Sequence, residues 1–562
     1  MRDLFLFTIG PVKEFIESSR KLMDLYAGSR MLSELMREAV YRLEVEENVK
    51  ILFPRISDSH KDEPVNIPNR IVAEFTGNSE KRKLETARAL TAFVKKKFCE
   101  MSLSLLKQAQ IPPRGIELAQ KQWEDFLEIY WVFQKYEACE YSEAYQSLLC
   151  TMYEVKGIRP FSQIIEPEGR KCILFPKYNA IFVKHWEEKG KVRYPYQTNS
   201  RYMCDITENH YLSYVVKRKE ALSSIALVKR IYGKIATDLY SLRYMLLKRW
   251  VPEALFMEAG VNSLENEQRD MLADAVYDLA NGQILDEEDY PLVIIENARH
   301  FYELIQKNDV KLRTYYAVIK FDGDNMGEAF KNLRTVDEQQ ALSDHISSFA
   351  YEVPGIIERF GGLPVFAGGE DFLGFIPMDC LFECVSVLRE RFYHFIKRSF
   401  SIGIAIAHLM QPLKEVMACV DSMEASAKSV PGKNSFAISI IKRSGAHVIM
   451  PAYKLVDEEP VPQWSDLGEL VRILSSTQCS KSMFFNISET MKYFSEEQVK
   501  MRDDMAEVLL RNGVNRAVMD DKRIDKEMVI GKLLLFYKHA DHMADFLQTL
   551  SGIVFLAREV DG

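Results

Sequence analysis

The stretch Ala367-Gly368-Gly369-Glu370-Asp371-Phe372 comes about one strand-helix unit after Lys320-Phe321-Asp322-Gly323-Asp324-Asn325-Met326-Gly327. In each, an apolar strand runs straight into carboxylates. Val318-Ile319-Lys320-Phe321 leads to Asp322, and Leu363-Pro364-Val365-Phe366 is turned by two glycines into Asp371-Phe372-Leu373-Gly374-Phe375. A Gly-Gly pair suits a tight hairpin, because glycine reaches positive φ without a Cβ clash. Placed side by side in one sheet, the two strands would bring Asp322, Glu370 and Asp371 to one edge. That is how a site for hard divalent cations carrying a nucleoside triphosphate is built.

Around this pair the pattern is regular. Strand 315–321 is followed by helix 337–359, the hairpin 363–376, helix 379–398, strand 400–407, helix 412–429 and strand 435–442. A similar order opens the chain. Leu4 to Ile9 reads as a buried strand ended by Gly10-Pro11, and a helical pattern follows with Val12, Phe15, Ile16, Leu22 and Met23. Strands at 51–53 and 71–75 flank a turn-rich segment, and 79–109 is helical. This β-α-β-β-α order is most of a ferredoxin-like unit. Residues 120–300 lie between the two units and read as mostly helical from about 217; 465–562 is helical again.

The 562 residues are enough for about three or four domains, each with its own core. Net charge is −8, so any nucleic-acid contact must come from local basic patches. The nine cysteines are scattered without a Cys-x-x-Cys pair, which argues for a reducing compartment and against a disulfide framework. No apolar run reaches the roughly 18–20 residues that span a bilayer, and the segment 4–9 is too short for a signal peptide. The expected location is cytoplasmic, without membrane association. The absence of a Gly-x-x-x-x-Gly-Lys-Ser/Thr loop argues against a P-loop ATPase, and Lys95-Lys96-Lys97 reads as a solvated helix face.

With both units in hand, the sequence resembles the large polymerase-cyclase subunit of type III-B (Cmr) CRISPR effector complexes, in a form lacking the nuclease domain. The resemblance is carried by Ile9 to Ile16, Arg20-Lys21, Asp24 to Ser29, Leu32-Ser33 and Ile67-Pro68-Asn69-Arg70. It continues through Asp322 to Gly327, Gly368 to Asp371, Ser401 to Ala405, His408, Pro412-Leu413, Ala427-Lys428 and Gly432-Lys433-Asn434. It covers roughly 1–75 and 315–445. It implies an α+β protein with two ferredoxin-like palm (nucleotidyl cyclase) domains packed face to face and ATP at their junction. The implied division is a first palm with helical insertions over 1–155, a mostly helical middle domain over 156–307, a second palm over 308–450 and a C-terminal helical domain over 451–562. Relatives make cyclic oligoadenylate second messengers when their guide RNA pairs with a target transcript. The implied partners are therefore guide RNA, target RNA, and the neighbouring repeat-tag-binding, backbone and small subunits.

The chemistry is attack of a 3′-hydroxyl on an α-phosphate, with pyrophosphate leaving. Two magnesium or manganese ions about 3.5–4 Å apart would stabilise the attacking and leaving oxygens. Asp322, Glu370 and Asp371 are the expected catalytic and metal-binding residues, with Asp322 and Asp371 the leading ligands. Backbone amides of Gly323, Asp324, Asn325 and Met326 would cradle the triphosphate beside Gly368 and Gly369. Asp324 has a second reading, as an Asx cap of the turn. Lys428 and Lys433 would face the β- and γ-phosphates. The resemblance adds Ser401, and it assigns base or ribose contacts to Ser29, Ser33, Asn69 and Arg70 of the first palm.

Three departures from the family pattern matter. The usual Gly-Gly-Asp-Asp reads Gly-Gly-Glu-Asp, and the extra methylene of Glu370 could shift a ligand by about 1 Å, enough to cost roughly a hundredfold in rate. Diguanylate-cyclase (GGDEF-like) motifs take either acid there, so activity is expected to persist. The chain begins directly at the first palm, and His539-Ala540-Asp541-His542 reads as a solvated helix face, so DNA cleavage is not expected. Cys172, Cys204, His185 and His210 lack paired spacing, so no zinc is expected. Two alternatives stand beside the leading function. One is conjugation of ATP to S-adenosylmethionine by the same palm chemistry; the other is a non-catalytic scaffold that senses target RNA.

Overall fold

The computed structural model describes residues 2–560 apart from 56–66, 125, 138–140, 159–165, 167, 196–199, 218–219, 236–238, 288, 459, 476–480, 495–499 and 518–524. Cys139, Cys479 and much of the turn-rich segment before Ile67 lie outside the described residues.

In the first palm, β1 (Arg2–Gly10) is buried along nearly its whole length. It is followed by α1 (Val12–Glu17), α2 (Leu22–Tyr41), β2 (Lys50–Phe53), β3 (Arg70–Thr76) and α3 (Glu80–Gln108). The sheet is completed by β4 (Glu128–Tyr136), antiparallel to β1, giving the order β2-β3-β1-β4. This fourth strand falls inside the stretch that the sequence placed between the two units. Its residues, Glu-Ile-Tyr-Trp-Val-Phe-Gln-Lys-Tyr, show no clean alternation, and only Val132 and Tyr136 are fully buried, so strand periodicity is blurred. The alternation of β1 divides its side chains between two cores. Phe5, Phe7 and Ile9 pack with α2 and α3. Leu4 and Leu6 pack with Val72, Val132 and the tyrosines of α4 (Tyr141–Gly157).

The region between the palms contains a small three-stranded sheet and several helices, including α5 (Ser224–Ile235). α5 is buried against α2 and ties the two together with charge. Arg230 is 1% exposed and uses all five N–H donors. Two go to Asp24 (2.6 and 2.8 Å), two to Glu220 (3.2 and 3.3 Å) and one to the carbonyl of Val215 (3.1 Å). The neighbouring Lys229 donates to carbonyls at the C-terminal end of α1, including those of Phe15 and Ser18.

The second palm repeats the first. It comprises β5 (Tyr315–Gly323), α6 (Met326–Lys331), α7 (Val336–Arg359), β6 (Leu363–Ala367), β7 (Asp371–Pro377), α8 (Leu381–Ile396), β8 (Phe400–His408), α9 (Leu413–Ser429) and β9 (Ser435–Ile441). The strand order β6-β7-β5-β8 matches the first sheet, and β9 is added parallel to β8. Phe321, Phe372 and Phe400 stack on one face under Phe349 and Phe392 of α7 and α8. On the other face α9 lies so close to β8 that a Cβ on Gly403 would sit 2.2 Å from the Glu424 nitrogen, which explains glycine there. Among the described residues, five helices between Trp464 and Val560 extend the second palm's core. His539 ends one of them and His542 precedes the next, so the His-Ala-Asp-His stretch is a junction between two helices, not one helix face.

The two palms face each other reciprocally. α2 of the first packs on β6 of the second, and α7 of the second packs on β2 of the first. α6 meets α4, with Phe330 stacked near Tyr145 at 6.2 Å, and α1 meets α9 through Lys13 and Asp421 at 2.5 Å. Each contact has its counterpart with the palms exchanged, as an internal pseudo-two-fold requires.

Candidate active site at the palm junction

Asp322 and Asp371 are cross-strand partners in the β5-β7 register. The hairpin joining β6 to β7 closes with Gly368 N–H donating to the Asp371 carbonyl at 3.0 Å. Gly369 has φ 91°, which glycine takes without strain, and a Cβ on Gly368 would lie 2.0 Å from the Phe366 ring, which would have to move to admit it.

The two carboxyls act on each other. Asp371 is exposed at the start of β7 yet crowded by the protein around it. With the burial that this crowding brings, the hydrogen bond to Asp322 and the charges of Asp322 and Glu370 hold Asp371 well above the ordinary carboxylate range. Asp322 is held below that range, since its hydrogen bonds with Asp371 and Lys428, and the nearby Lys433, outweigh its burial. The two carboxyls therefore titrate as a pair, crowding negative charge at the strand ends. Two such strand-end carboxylates are a fitting donor set for a hard divalent cation, whose charge would relieve that crowding.

Lys428, near the end of α9, forms an ion pair with Asp322 and a second with Glu424 at 2.8 Å. Glu424 also meets Lys320 at 3.2 Å, and Lys320 meets Asp421 at 2.5 Å. A chain of alternating charges thus runs from Lys13 of the first palm to Asp322. Lys433 donates to the Asn325 side chain at 2.9 Å, and Asn325 has φ 55° in the turn before α6.

Other predicted residues are placed differently. Glu370 meets Arg70 of the first palm at 3.3 Å, and its charge is felt by Asp371 beside it. Among the described residues, no group of three or more His, Cys, Asp or Glu side chains is arranged to hold a metal. Asp324 is 3% exposed and accepts from Ser399 (2.7 Å), Ser401 (2.8 Å) and the Asn434 backbone (2.9 Å). Its own N–H donates to the Ser399 carbonyl. Asp324 and Ser401 therefore bind the ends of β5, β8 and β9 together; a buried carboxylate takes its bonds from the nearest donors. The Met326 side chain is also buried. In the first palm, Ser33 bonds both backbone groups of Ile67, and Asn69 bonds Thr8 and the Ile9 carbonyl, so they shape the turn 67–70. Ser29 is 2% exposed, and its hydroxyl has no hydrogen-bond partner.

Sequence reasoning missed Lys156. It sits one residue before the end of α4, as Lys428 does in α9, and donates to Thr8 at 3.4 Å. Thr8 stands opposite Arg70 in the first sheet as Asp322 stands opposite Asp371 in the second. The first palm thus keeps the lysine but carries threonine and arginine where the second has carboxylates. Matching the two units element by element, instead of motif by motif, would have found it. A cleft of about 980 Å³ lies between the palms, lined by residues including Phe53, Ile67 and Pro68 on one side and Gln340, Ser347 and Gly369 on the other. That is at the upper end of ordinary ligand-pocket size.

Comparison with known proteins gives a consistent picture. Residues 315–437 match the second palm domain of Cas10/Cmr2, and residues 4–107 match the N-terminal domain of the CRISPR-associated protein Cmr2. The chain is 23% identical over 558 residues to the CRISPR system Cmr subunit Cmr2 of Pyrococcus furiosus, covering 79% of this chain and 62% of that protein. In fold it is similar to a chain of the type III-B Cmr-beta complex in its apo state, with a TM-score of 0.68 at 13% identity, covering 99% of this chain and 82% of that one. A chain of Cmr-beta bound to cognate target RNA gives 0.64 at 12% identity, covering 99% and 83%. No helix among the described residues is long and apolar enough to cross a membrane.

Proposed function

Since the chain belongs to the Cas10/Cmr2 family, we propose that it is the RNA-activated nucleotidyltransferase subunit of a type III-B CRISPR ribonucleoprotein, making cyclic oligoadenylate from ATP as an antiviral second messenger. The observation that carries this reading is the Asp322–Asp371 pair with Lys428 beside it, at the junction of two palms. A scaffold has no physical need for that set.

In the reaction, the 3′-oxygen of one nucleotide bonds to the α-phosphorus of another, the bond to pyrophosphate breaks, and the hydroxyl proton leaves. Asp322 and Asp371 would hold the cation. Magnesium or manganese, when bound, supplies positive charge at the attacked phosphate and favours the ionised 3′-hydroxyl. Lys428, held by Glu424, and Lys433 present ammonium groups suited to the β- and γ-phosphates. Arg70 and Lys156 give the first palm a cationic wall for the phosphates of the second nucleotide. Guide RNA, target RNA and the neighbouring subunits of the complex are the partners under this reading.

The test is product analysis by mass spectrometry on the reconstituted complex with ATP, with and without target RNA. Oligoadenylate is expected only with target RNA, and Asp322→Asn or Asp371→Asn should abolish it. No adenylate product despite intact assembly would sink the reading. A parallel reaction with S-adenosylmethionine distinguishes the acceptors, since an adenylated S-adenosylmethionine would keep the palm chemistry and change only the acceptor. Unchanged in-cell immunity with Asp322→Ala and Asp371→Ala would leave the scaffold role.

A further inference from the structure

We propose that Glu424 is a positioning residue: it is a second seat for the Lys428 ammonium, which leaves Asp322 for it when a divalent cation binds. The inference deepens the function proposed above and rests on it for the cation and for the phosphates that Lys428 then faces.

Three observations carry it. First, Lys428 stands between two carboxylates. It pairs with Asp322 and, one helical turn back, with Glu424 at 2.8 Å. An ammonium and a divalent cation compete for the same Asp322 oxygens, since like charges repel strongly at contact distance. Binding therefore displaces Lys428, and Glu424 is already within reach to keep it. The Glu424 side chain is 13% exposed, so solvent screens that pair little.

Second, Glu424 is held in place and is not spent elsewhere. It also meets Lys320 at 3.2 Å, but Lys320 has a closer carboxylate in Asp421 at 2.5 Å. A Cβ on Gly403 would lie 2.2 Å from the Glu424 nitrogen and 2.8 Å from its Cα, and Gly403 is the cross-strand partner of Lys320. The sheet and the helix thus touch at this residue. Four residues along α9 rise about 6 Å, and two residues along β5 rise about 6.6 Å. With Glu424 fixed beside Lys320, the next turn sets Lys428 beside Asp322.

Third, the first palm does without the arrangement. The internal two-fold sets Thr8 against Asp322 and Lys156 against Lys428. Counting back from those positions, Leu6, Leu149 and Met152 are the counterparts of Lys320, Asp421 and Glu424. Leu6 and Met152 lie in an apolar core, and Leu149 packs against it. The fold needs no charge at these places. Charge stands there in the palm whose strand ends carry carboxylates.

The test uses the assembled complex and titrates manganese alone, followed by electron paramagnetic resonance, so it needs no product. The binding that Asp322→Asn removes is the binding at the site. Glu424→Gln is expected to weaken it about fivefold, because Lys428 then loses its second carboxylate and stays on Asp322. Lys428→Met should bind at least as tightly as wild type. The Glu424→Gln/Lys428→Met double variant should match Lys428→Met within about twofold. A damaged fold would not be rescued by a second substitution. Glu424→Met, which takes the first palm's residue, should weaken binding alike and be rescued alike. Unchanged affinity in Glu424→Gln would overturn the proposal. So would an equal loss in the Lys428→Met background, where Glu424 would be acting on the cation through its charge alone. Wild type without Asp322-dependent manganese binding would overturn it too. If the complex binds manganese as expected yet makes no adenylate, the proposed function falls and the role of Glu424 stands.

Discussion

Replacing Arg230 by methionine should free α2 from α5. Methionine fills much of the volume but strands Asp24 and Glu220, both buried, without the guanidinium that now satisfies them. Removing one partner of a buried ion pair costs about 3–5 kcal/mol. An independent bound agrees: protonating one carboxyl of ordinary pKa at pH 7 costs roughly 4 kcal/mol. A loss of that size corresponds to on the order of 10²- to 10⁴-fold faster amide exchange in the element that opens. The assay is hydrogen exchange by mass spectrometry on peptides from α2 and α5, with β8 as the internal control. The sign with pH is fixed by the carboxyls. Arg230 holds both Asp24 and Glu220 below their ordinary values against the opposing effect of burial. The stability they contribute is therefore present above the ordinary carboxylate pKa and is lost as pH falls through their folded values. The gap between wild type and Arg230→Met should narrow towards pH 5, by about 1.4 kcal/mol per unit for each acid that takes up a proton in the variant. Arg230→Lys should fall between, because three donors replace five. A difference below tenfold at pH 7, a gap independent of pH, or equal acceleration in β8 would refute the reasoning.

Three further outcomes can be checked. Gly368→Ala places a methyl group 2.0 Å from the Phe366 ring; it should lower stability by about 1–3 kcal/mol, read as a fall in thermal midpoint, and abolish product. Asp324→Asn keeps an acceptor but turns an amide donor towards groups that already donate, so about 1–3 kcal/mol should be lost. Exchange at the ends of β8 and β9 should accelerate accordingly. Because Asp371 is held above the ordinary carboxylate range, manganese affinity should weaken as pH falls, by up to about tenfold per unit; titration calorimetry in buffers of different ionisation enthalpy measures the proton released on binding.

The second palm was legible because its strands are short apolar runs ended by glycines and carboxylates, and little else folds that way. The Asp322–Asp371 pairing followed from the same pattern. β4 was not legible, since a strand with one face half-covered carries aromatic and charged residues that blur a period of two. Asp324 and Ser401 illustrate a different limit. A polar side chain at a strand end can turn outward to a ligand or inward to a neighbour, and only the tertiary position of Ser399 and Asn434 decides it. Glu370 is similar, because its partner lies in the other palm. Lys156 was hidden by its companions: threonine and arginine stand where the second palm has carboxylates, so nothing local marks the position.

The unequal substitution of the two palms gives their junction a polarity. A symmetric pair would offer two interchangeable reaction centres and no sense of direction. Here carboxylates stand at one of the two related positions, and Thr8 and Arg70 stand at the other. Under the proposed function, the nucleotide beside Asp322 and Asp371 is always the one that loses pyrophosphate, and the one beside Arg70 and Lys156 is always the one extended. An oligomer grown at such a junction has a fixed leading end, and each chain completes one bond at a time in one order.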